Sequence, residues 1–383
     1  MTNILFMTHV GVPGGAEFKM IELAECVDQP SEVMLMQHGT LEDMLQQRGI
    51  RCSVNELPRA ASAVRREGGL AALLRAIPAT LSMVRGVARK ARDFRVVVCF
   101  SQKSFVVAAL AKPFMRRPVF WFMNDILSED HFNPLLVRFL VTLARFSADH
   151  VILNSEASLQ AWLASGGHRK GVSIIHPMTR RDLVAAQTRD MAKITAYRKL
   201  FSRDGAPLIG MFGRICPWKG QDVFLRAMAQ VPGANAVIAG GALFGEEEHE
   251  QRMKALAHEL GIAGRVTFAG HVDEVVAIMA ACDVVAHCST SPEPFGRVIV
   301  ESMFVGTPVI ASDAGGAREI VTHGVTGQLT PMNDAPALAT AIRRYLEQPD
   351  WARTVAAKAQ ADAELRFSAA AMTDRFNEIL LTI

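Results

Sequence analysis

No stretch of the chain approaches the roughly 18 continuous apolar residues of a membrane-spanning helix, so none is expected. The six cysteines, at positions 26, 52, 99, 216, 282 and 288, include no Cys-x-x-Cys pair. So few thiols, so scattered, exclude a disulfide framework and a zinc knuckle and read as reduced core residues of a cytosolic protein. His287-Cys288, close to Cys282, is a weak metal signal only. The N-terminus, Met1–His9, carries no cationic leader and a short apolar run, which reads as a first strand rather than a signal peptide. No helix-turn-helix, zinc or RNA-binding signature is present, so a nucleic-acid partner is not expected. No short repeat and no low-complexity segment appears.

What is present is an ordinary globular composition. The chain has 383 residues, of which 50% are hydrophobic and 21% charged, with a net charge of +3. That length suggests two domains with sizeable cores. The charge is uneven. Between Arg59 and Arg117 there are thirteen Lys and Arg against two acids, Glu67 and Asp93. Arg65, Arg66, Arg85, Arg89, Lys90, Arg92, Lys112, Arg116 and Arg117 lie beside Leu70, Leu73, Leu74, Ile77, Leu81, Val84 and Phe114. Such a face attracts anionic lipid headgroups or pyrophosphate. The alternative is a plain surface helix, apolar side in the core and basic side in water.

Short apolar runs alternate with helical patterns throughout. Ile4–Thr8, Val33–Gln37, Cys52–Leu57, Val96–Phe100, Val119–Met123 and His150–Asn154 read as strands, with helices at about 16–26, 41–48 and 70–91 between them. A second cycle starts at Pro207–Phe212 and continues through Ala236–Ala239, Val266–Phe268, Val284–His287 and Pro308–Ala311. Continuous apolar strands separated by helices indicate parallel sheets covered on both faces. The chain therefore divides into two Rossmann-like halves with a cleft between them: 1–178, a connection over 179–204, and 205–366. A last helical pattern follows at 367–383.

Two stretches carry the chemistry. Ser-Pro-Glu-Pro-Phe-Gly-Arg-Val-Ile-Val-Glu (291–301) spaces Glu293 and Glu301 eight positions apart around a turn that opens a helix. Gly296 lets a ligand approach the main chain, and the free N–H groups of Arg297 and Val298 sit at the positive helix end, a phosphate site. Ionised Glu301 can only accept hydrogen bonds, as from ribose hydroxyls. Gly213-Arg-Ile-Cys-Pro-Trp-Lys-Gly220 puts Arg214 and Lys219 in a loop after a strand, where two cations can neutralise a diphosphate. It is not a P-loop, which needs G-x4-G-K-[ST]. Gly11–Gly15 is not G-x-G-x-x-G, which disfavours a nicotinamide site. Gly14 and Gly15 can still offer N–H groups to a phosphate, and the Gly-rich turns at 314–320 and 322–327 lie near the same edge.

With Gly-Gly-Ala-Glu (14–17), Asn154-Ser-Glu156, Gly-Arg-x4-Lys-Gly (213–220), Glu-Pro-Phe-Gly-x4-Glu (293–301), Gly-Gly-x2-Glu-Ile-Val and Gly-Val-Thr-Gly (315–327) in this order, nearly the whole chain resembles the family 4 retaining glycosyltransferases. The resemblance implies the α/β GT-B fold: two Rossmann-like domains with parallel sheets facing a central cleft, the last helix, 367–383, crossing back to the first domain. It implies that Arg214 and Lys219 hold the diphosphate of a nucleotide sugar, that Glu293 contacts the transferred sugar, and that Phe295, Gly296, Arg297 and Val298 offer backbone N–H groups. Glu301 would bind ribose, Gly14 and Gly15 the sugar-phosphate, and His271 and Val272 would border the base. On the acceptor side, Asn124 stands where such enzymes often carry a histidine, with Asp125 next to it and His9 and His131 as neighbours in sequence.

The implied reaction is front-face transfer with retention, in which the leaving diphosphate helps take the acceptor proton and the protein positions and neutralises. No metal or cofactor is implied, because the Asp-x-Asp pair is absent. The expected acceptor is a hydroxyl, on a lipid-linked or other glycan intermediate of polysaccharide assembly. The basic face over 59–117 suggests a cytoplasmic protein, peripheral on the inner membrane face. The other readings are a nucleotide-sugar 2-epimerase on the same fold and a non-catalytic nucleotide-sugar-binding protein.

Overall fold

The computed structural model describes residues 3–56, 70–127, 132–179, 181–203, 205–242 and 245–382, with the backbone alone of 70–80 and 181–183. His131, Arg59, Arg65, Arg66 and Glu67 lie outside the described residues, as do the side chains of Leu70, Leu73, Leu74 and Ile77. The chain divides into two compact units, one reaching Met178 and joined by the chain from Met372, the other spanning Thr179–Ala371.

The apolar runs become strands because a parallel ladder pairs backbone groups that covered side chains cut off from water. In the first unit, β1 (Ile4–Thr8), β2 (Ser31–Leu35), β3 (Cys52–Val54), β4 (Val96–Cys99), β5 (Val119–Met123), β6 (His150–Leu153) and β7 (Val172–Ile174) form one parallel sheet in the order β3-β2-β1-β4-β5-β6-β7. β1, β4 and β5 are buried along their whole length. In the second unit, β8 (Leu208–Phe212), β9 (Asn235–Ala239), β10 (Val266–Gly270), β11 (Val284–His287), β12 (Val309–Ser312) and β13 (Gln328–Thr330) follow the order β10-β9-β8-β11-β12-β13. The order reverses between β1 and β4 in one sheet and between β8 and β11 in the other. Loops leaving such a pair diverge, so a crevice opens at their carboxyl ends, where open α/β sheets take ligands.

Several expectations shift. β7 and β13 went unread: each has three residues at a sheet edge, Val-Ser-Ile and Gln-Leu-Thr, too short and too interrupted by polar residues to stand out as an apolar run. The stretch 179–204 is not a bare connection. It forms helices Arg181–Thr188 and Met191–Phe201, fixed to the second unit by Arg198 on Asp283 (2.8 Å) and by Lys193 and Tyr197 on Glu274 (2.5 and 2.7 Å). The last helix is Ala369–Leu380, not a run from Phe367. Phe367 is buried against Phe295 in the second unit, while Phe376 lies 6.3 Å from Phe6 of β1. Helix Leu70–Ala91 sends Met83, Val84, Val87, Ala88 and Ala91 into the core, so Val84 is no part of a surface stripe. Leu81 and Phe114 remain exposed beside Arg85, Arg89 and Arg92, around a pocket of about 350 Å³.

Candidate donor site

The loops after β8 and β11 bring the motif residues together. After β8 the chain makes a short turn, Pro217–Lys219, and Gly220 follows at φ 76°. A Cβ on Gly220 would stand 2.0 Å from the Cys288 carbonyl oxygen, so only glycine lets this turn lie against the end of β11. Thr290 N–H donates to the Trp218 carbonyl (2.8 Å), tying the two loops.

This contact delivers Lys219 to Glu293. The Lys219 ammonium donates to Glu293 Oε1 and lies 4.5 Å over the Trp218 ring. Ser289 Oγ donates to the same Oε1 at 2.6 Å, and His287 Nε2 stands 3.1 Å from Oε2. Glu293 is 5% exposed. Burial pushes its carboxyl up, but Lys219 and then His287 overcome that and hold it well below the usual carboxylate range. Glu293 is therefore an anion locked among three donors. His287 Nδ1 is buried with no hydrogen-bond partner among the described residues.

The same loop opens the helix Arg297–Val305. Gly296 precedes it at φ 110°, and the N–H groups of Arg297 and Val298 belong to the first helical turn, which lacks intrahelical acceptors. Arg297 Nε lies 3.5 Å from Glu301 Oε1, one turn on. Behind the loop, Gly315 and Gly316 let a second backbone segment close up. A Cβ on Gly315 would meet Glu293 O at 2.4 Å, one on Gly316 would meet Phe295 Cα at 2.5 Å, and Gly316 N–H donates to Glu293 O (2.9 Å). These glycines support the Glu293 loop rather than a ligand. Arg214 stands in the loop after β8, where its carbonyl accepts from Gln221 Nε2 (3.0 Å). His271 is exposed after β10, and Val272 packs on the core. Among the described residues no three His, Cys, Asp or Glu gather as a metal site.

Three comparisons with known proteins bear on this geometry. The model of the family described as glycosyl transferases group 1 matches residues 193–362, which hold the whole Lys219–Glu293 cluster. The crystal structure of Anabaena Alr3699/HepE in complex with UDP and glucose is 35% identical, covers 100% of both chains and superposes with a TM-score of 0.89. The chain belongs to the group 1 glycosyl transferases. Its two parallel sheets have the GT-B architecture of those transferases. A D-inositol 3-phosphate glycosyltransferase of Mycolicibacterium smegmatis is 35% identical over 224 residues, 57% of this chain and 48% of that one. The chain thus spans about half the length of the curated relatives it matches. A glycosyltransferase from Rickettsia africae, 19% identical with a TM-score of 0.83 over 99% and 97% of the two chains, shares the fold.

In the first unit the motif residues form a second buried network. Glu17 accepts from Thr8 Oγ1 (2.8 Å) and from the Gly14 N–H (3.2 Å), pinning the start of helix Gly15–Cys26 to the end of β1. Neither Gly14 nor Gly15 has a positive φ, and a Cβ on Gly15 would meet nothing within 4 Å. Lys19, 1% exposed, donates to Asn154 Oδ1 and sits 4.0 Å over Phe122. Asn154 Nδ2 donates to the Asn124 carbonyl (3.1 Å), and Asn124 Nδ2 donates to Phe100 O (2.8 Å), leaving Asn124 Oδ1 buried without a partner among the described residues. Asp125 accepts from Gln102 Nε2 (2.8 Å). His9, at the end of β1, is held neutral: burial, then Lys103, lowers its pKa to about 4. Sequence reasoning missed Lys19, and missed His287 and Ser289 as partners of Glu293. The only signal was their place at strand ends or on a helix beside a motif.

Proposed function

We propose that this chain transfers a sugar from a nucleoside-diphosphate donor to a hydroxyl acceptor, with retention at the anomeric carbon. The observation that carries the reading is the Lys219–Glu293 cluster at the switch point of the second sheet, next to a helix N-terminus. A diphosphate there would meet an ammonium already oriented by a buried carboxylate, the Arg214 side of the same loop, and the first-turn N–H groups of Arg297 and Val298. Glu301 would then take ribose hydroxyls. In this reading Glu293 does not shuttle a proton. It fixes Lys219 and faces the sugar from the loop before the helix. No step calls for a metal, since the cations of the chain do the neutralising. A uridine donor is favoured by the UDP and glucose bound to the 35% identical Anabaena protein.

For the acceptor we propose a hydroxyl on a lipid-linked or other glycan intermediate, with Asn124 and Asp125 on the acceptor side. Support comes from the apolar and basic exterior of the first unit. Leu135, Phe139 and Phe146 are exposed on helix Pro134–Ser147, which carries Arg138 and Arg145 and no acid. Such a surface suits the face of an anionic membrane. The test is a panel of UDP-, GDP- and ADP-sugars with polyol and glycan acceptors in EDTA, the product anomer being read by proton NMR. A retained configuration is expected; inversion, or turnover only with added metal, overturns the proposal. Flotation with anionic vesicles at low salt checks the membrane arm, and failure to float removes it.

A further inference from the structure

At the carboxyl ends of β8 and β11 one ammonium serves one buried carboxylate, and an imidazole completes the set. Lys219 and Ser289 donate to one oxygen of Glu293, and His287 Nε2 faces the other at 3.1 Å. In the tautomer that donates from Nε2, the Nδ1 lone pair of His287 is buried and used by nothing among the described residues. That atom is an unoccupied base inside the cluster.

We propose that binding of a nucleoside diphosphate draws a proton from solvent into the His287–Glu293 pair, which makes His287 the positioning residue that neutralises Glu293 when Lys219 turns to the diphosphate. The inference rests on the donor reading above. Its physical basis is charge balance. A diphosphate brings at least two negative charges to an ammonium that already balances Glu293. A carboxylate this buried cannot stand beside them without a cation, because unpaired buried charge is strongly disfavoured. A nearby anion favours protonation of any neighbouring base. The proton adds at Nδ1, Nε2–H stays on Glu293, and the pair becomes imidazolium and carboxylate. The Lys219 N–H leaves Glu293 and donates to a phosphate oxygen.

Among the described residues the surrounding elements offer no other base that could become a cation here; Asp222, in the first turn of helix Gln221–Ala229 beside Cys288, is an acid. β8 and β12, which flank β11, carry no ionisable side chain. On the helix Arg297–Val305, Arg297 and Glu301 pair with each other at 3.5 Å. Asp313, after β12, pairs with Arg318 at 2.7 Å. The Cys288 thiol is pushed up by burial and stays protonated. Arg214, the second cation of the loop after β8, keeps its charge throughout.

The experiment is titration calorimetry of the chain with UDP, GDP and ADP at about pH 7.5. Each titration is run in two buffers of different ionisation enthalpy. For whichever nucleotide binds, uptake of about half a proton or more per ligand is expected. His287→Gln should bind with little or no uptake and with a weaker pH dependence of Kd. Glu293→Gln, which leaves no carboxylate to neutralise, should also bind without uptake. Equal heats in both buffers for the wild type overturn the inference while leaving the donor reading intact. Undiminished uptake in His287→Gln overturns it as well. If none of the three nucleotides binds, the donor reading fails and this inference falls with it.

Discussion

Lys219 and Glu293 were both legible as motif residues, yet nothing in a sequence says that residues 74 apart share a hydrogen bond. The consequence is a stability prediction. Lys219→Met leaves Glu293 buried with its main counter-charge gone, a loss of about 3–5 kcal/mol for such a half-broken pair. Lys219→Met combined with Glu293→Gln should lose less, as urea unfolding will show. Acid dependence follows from the depressed Glu293 pKa. Its stabilisation is full above the unfolded carboxyl value of about 4.3 and is lost as pH falls through the lower folded value. Glu293→Gln should flatten that acid limb. His9 acts over a different window. The unfolded chain takes up its proton near 6.5 but folded His9 only near 4, so stability should fall between those values as pH drops. His9→Asn should remove that slope from the urea midpoints. Lys19 shows why burial of a polar residue escapes pattern reading. Its place on helix Gly15–Cys26 looks like a solvated position, and only the fold brings Asn154, 135 residues away, to receive it.

At the scale of elements, the central strands and the edges β3 and β10 were legible, whereas the edges β7 and β13 were not. β1, β5 and β11 are continuous apolar runs because both faces are covered, and their expected bounds coincide with the observed ones. β7 and β13 pair on one side only and need no such run. The glycine turns were legible as turns, but their roles separate only in three dimensions. Gly220 and Gly315 are demanded by close backbone approach, whereas Gly15 is not. Gly315→Ala should therefore lower the melting temperature and raise the donor KM together, by forcing the Glu293 loop outward. Gly15→Ala should leave the melting temperature unchanged, and any loss of kcat/KM then reports a ligand at that backbone. A thermal melt beside a donor titration separates the two.

For the molecule as a whole, the sequence read as two Rossmann-like halves, and the structure has two parallel sheets, each with a switch point. Among the described residues no helix is long and apolar enough to cross a membrane. The motif residues gather where β8 and β11 diverge, and the central proposal is that this crevice holds a nucleoside-diphosphate sugar through Lys219. Nucleotide release from a UDP-, GDP- and ADP-sugar panel in EDTA, compared between wild type and Lys219→Met of matched folded fraction, tests that claim most directly. Release by the wild type with at least one donor is expected, with a loss of about a hundredfold or more in the variant, the scale of removing a charge-stabilising group. Equal release by the two proteins would contradict it.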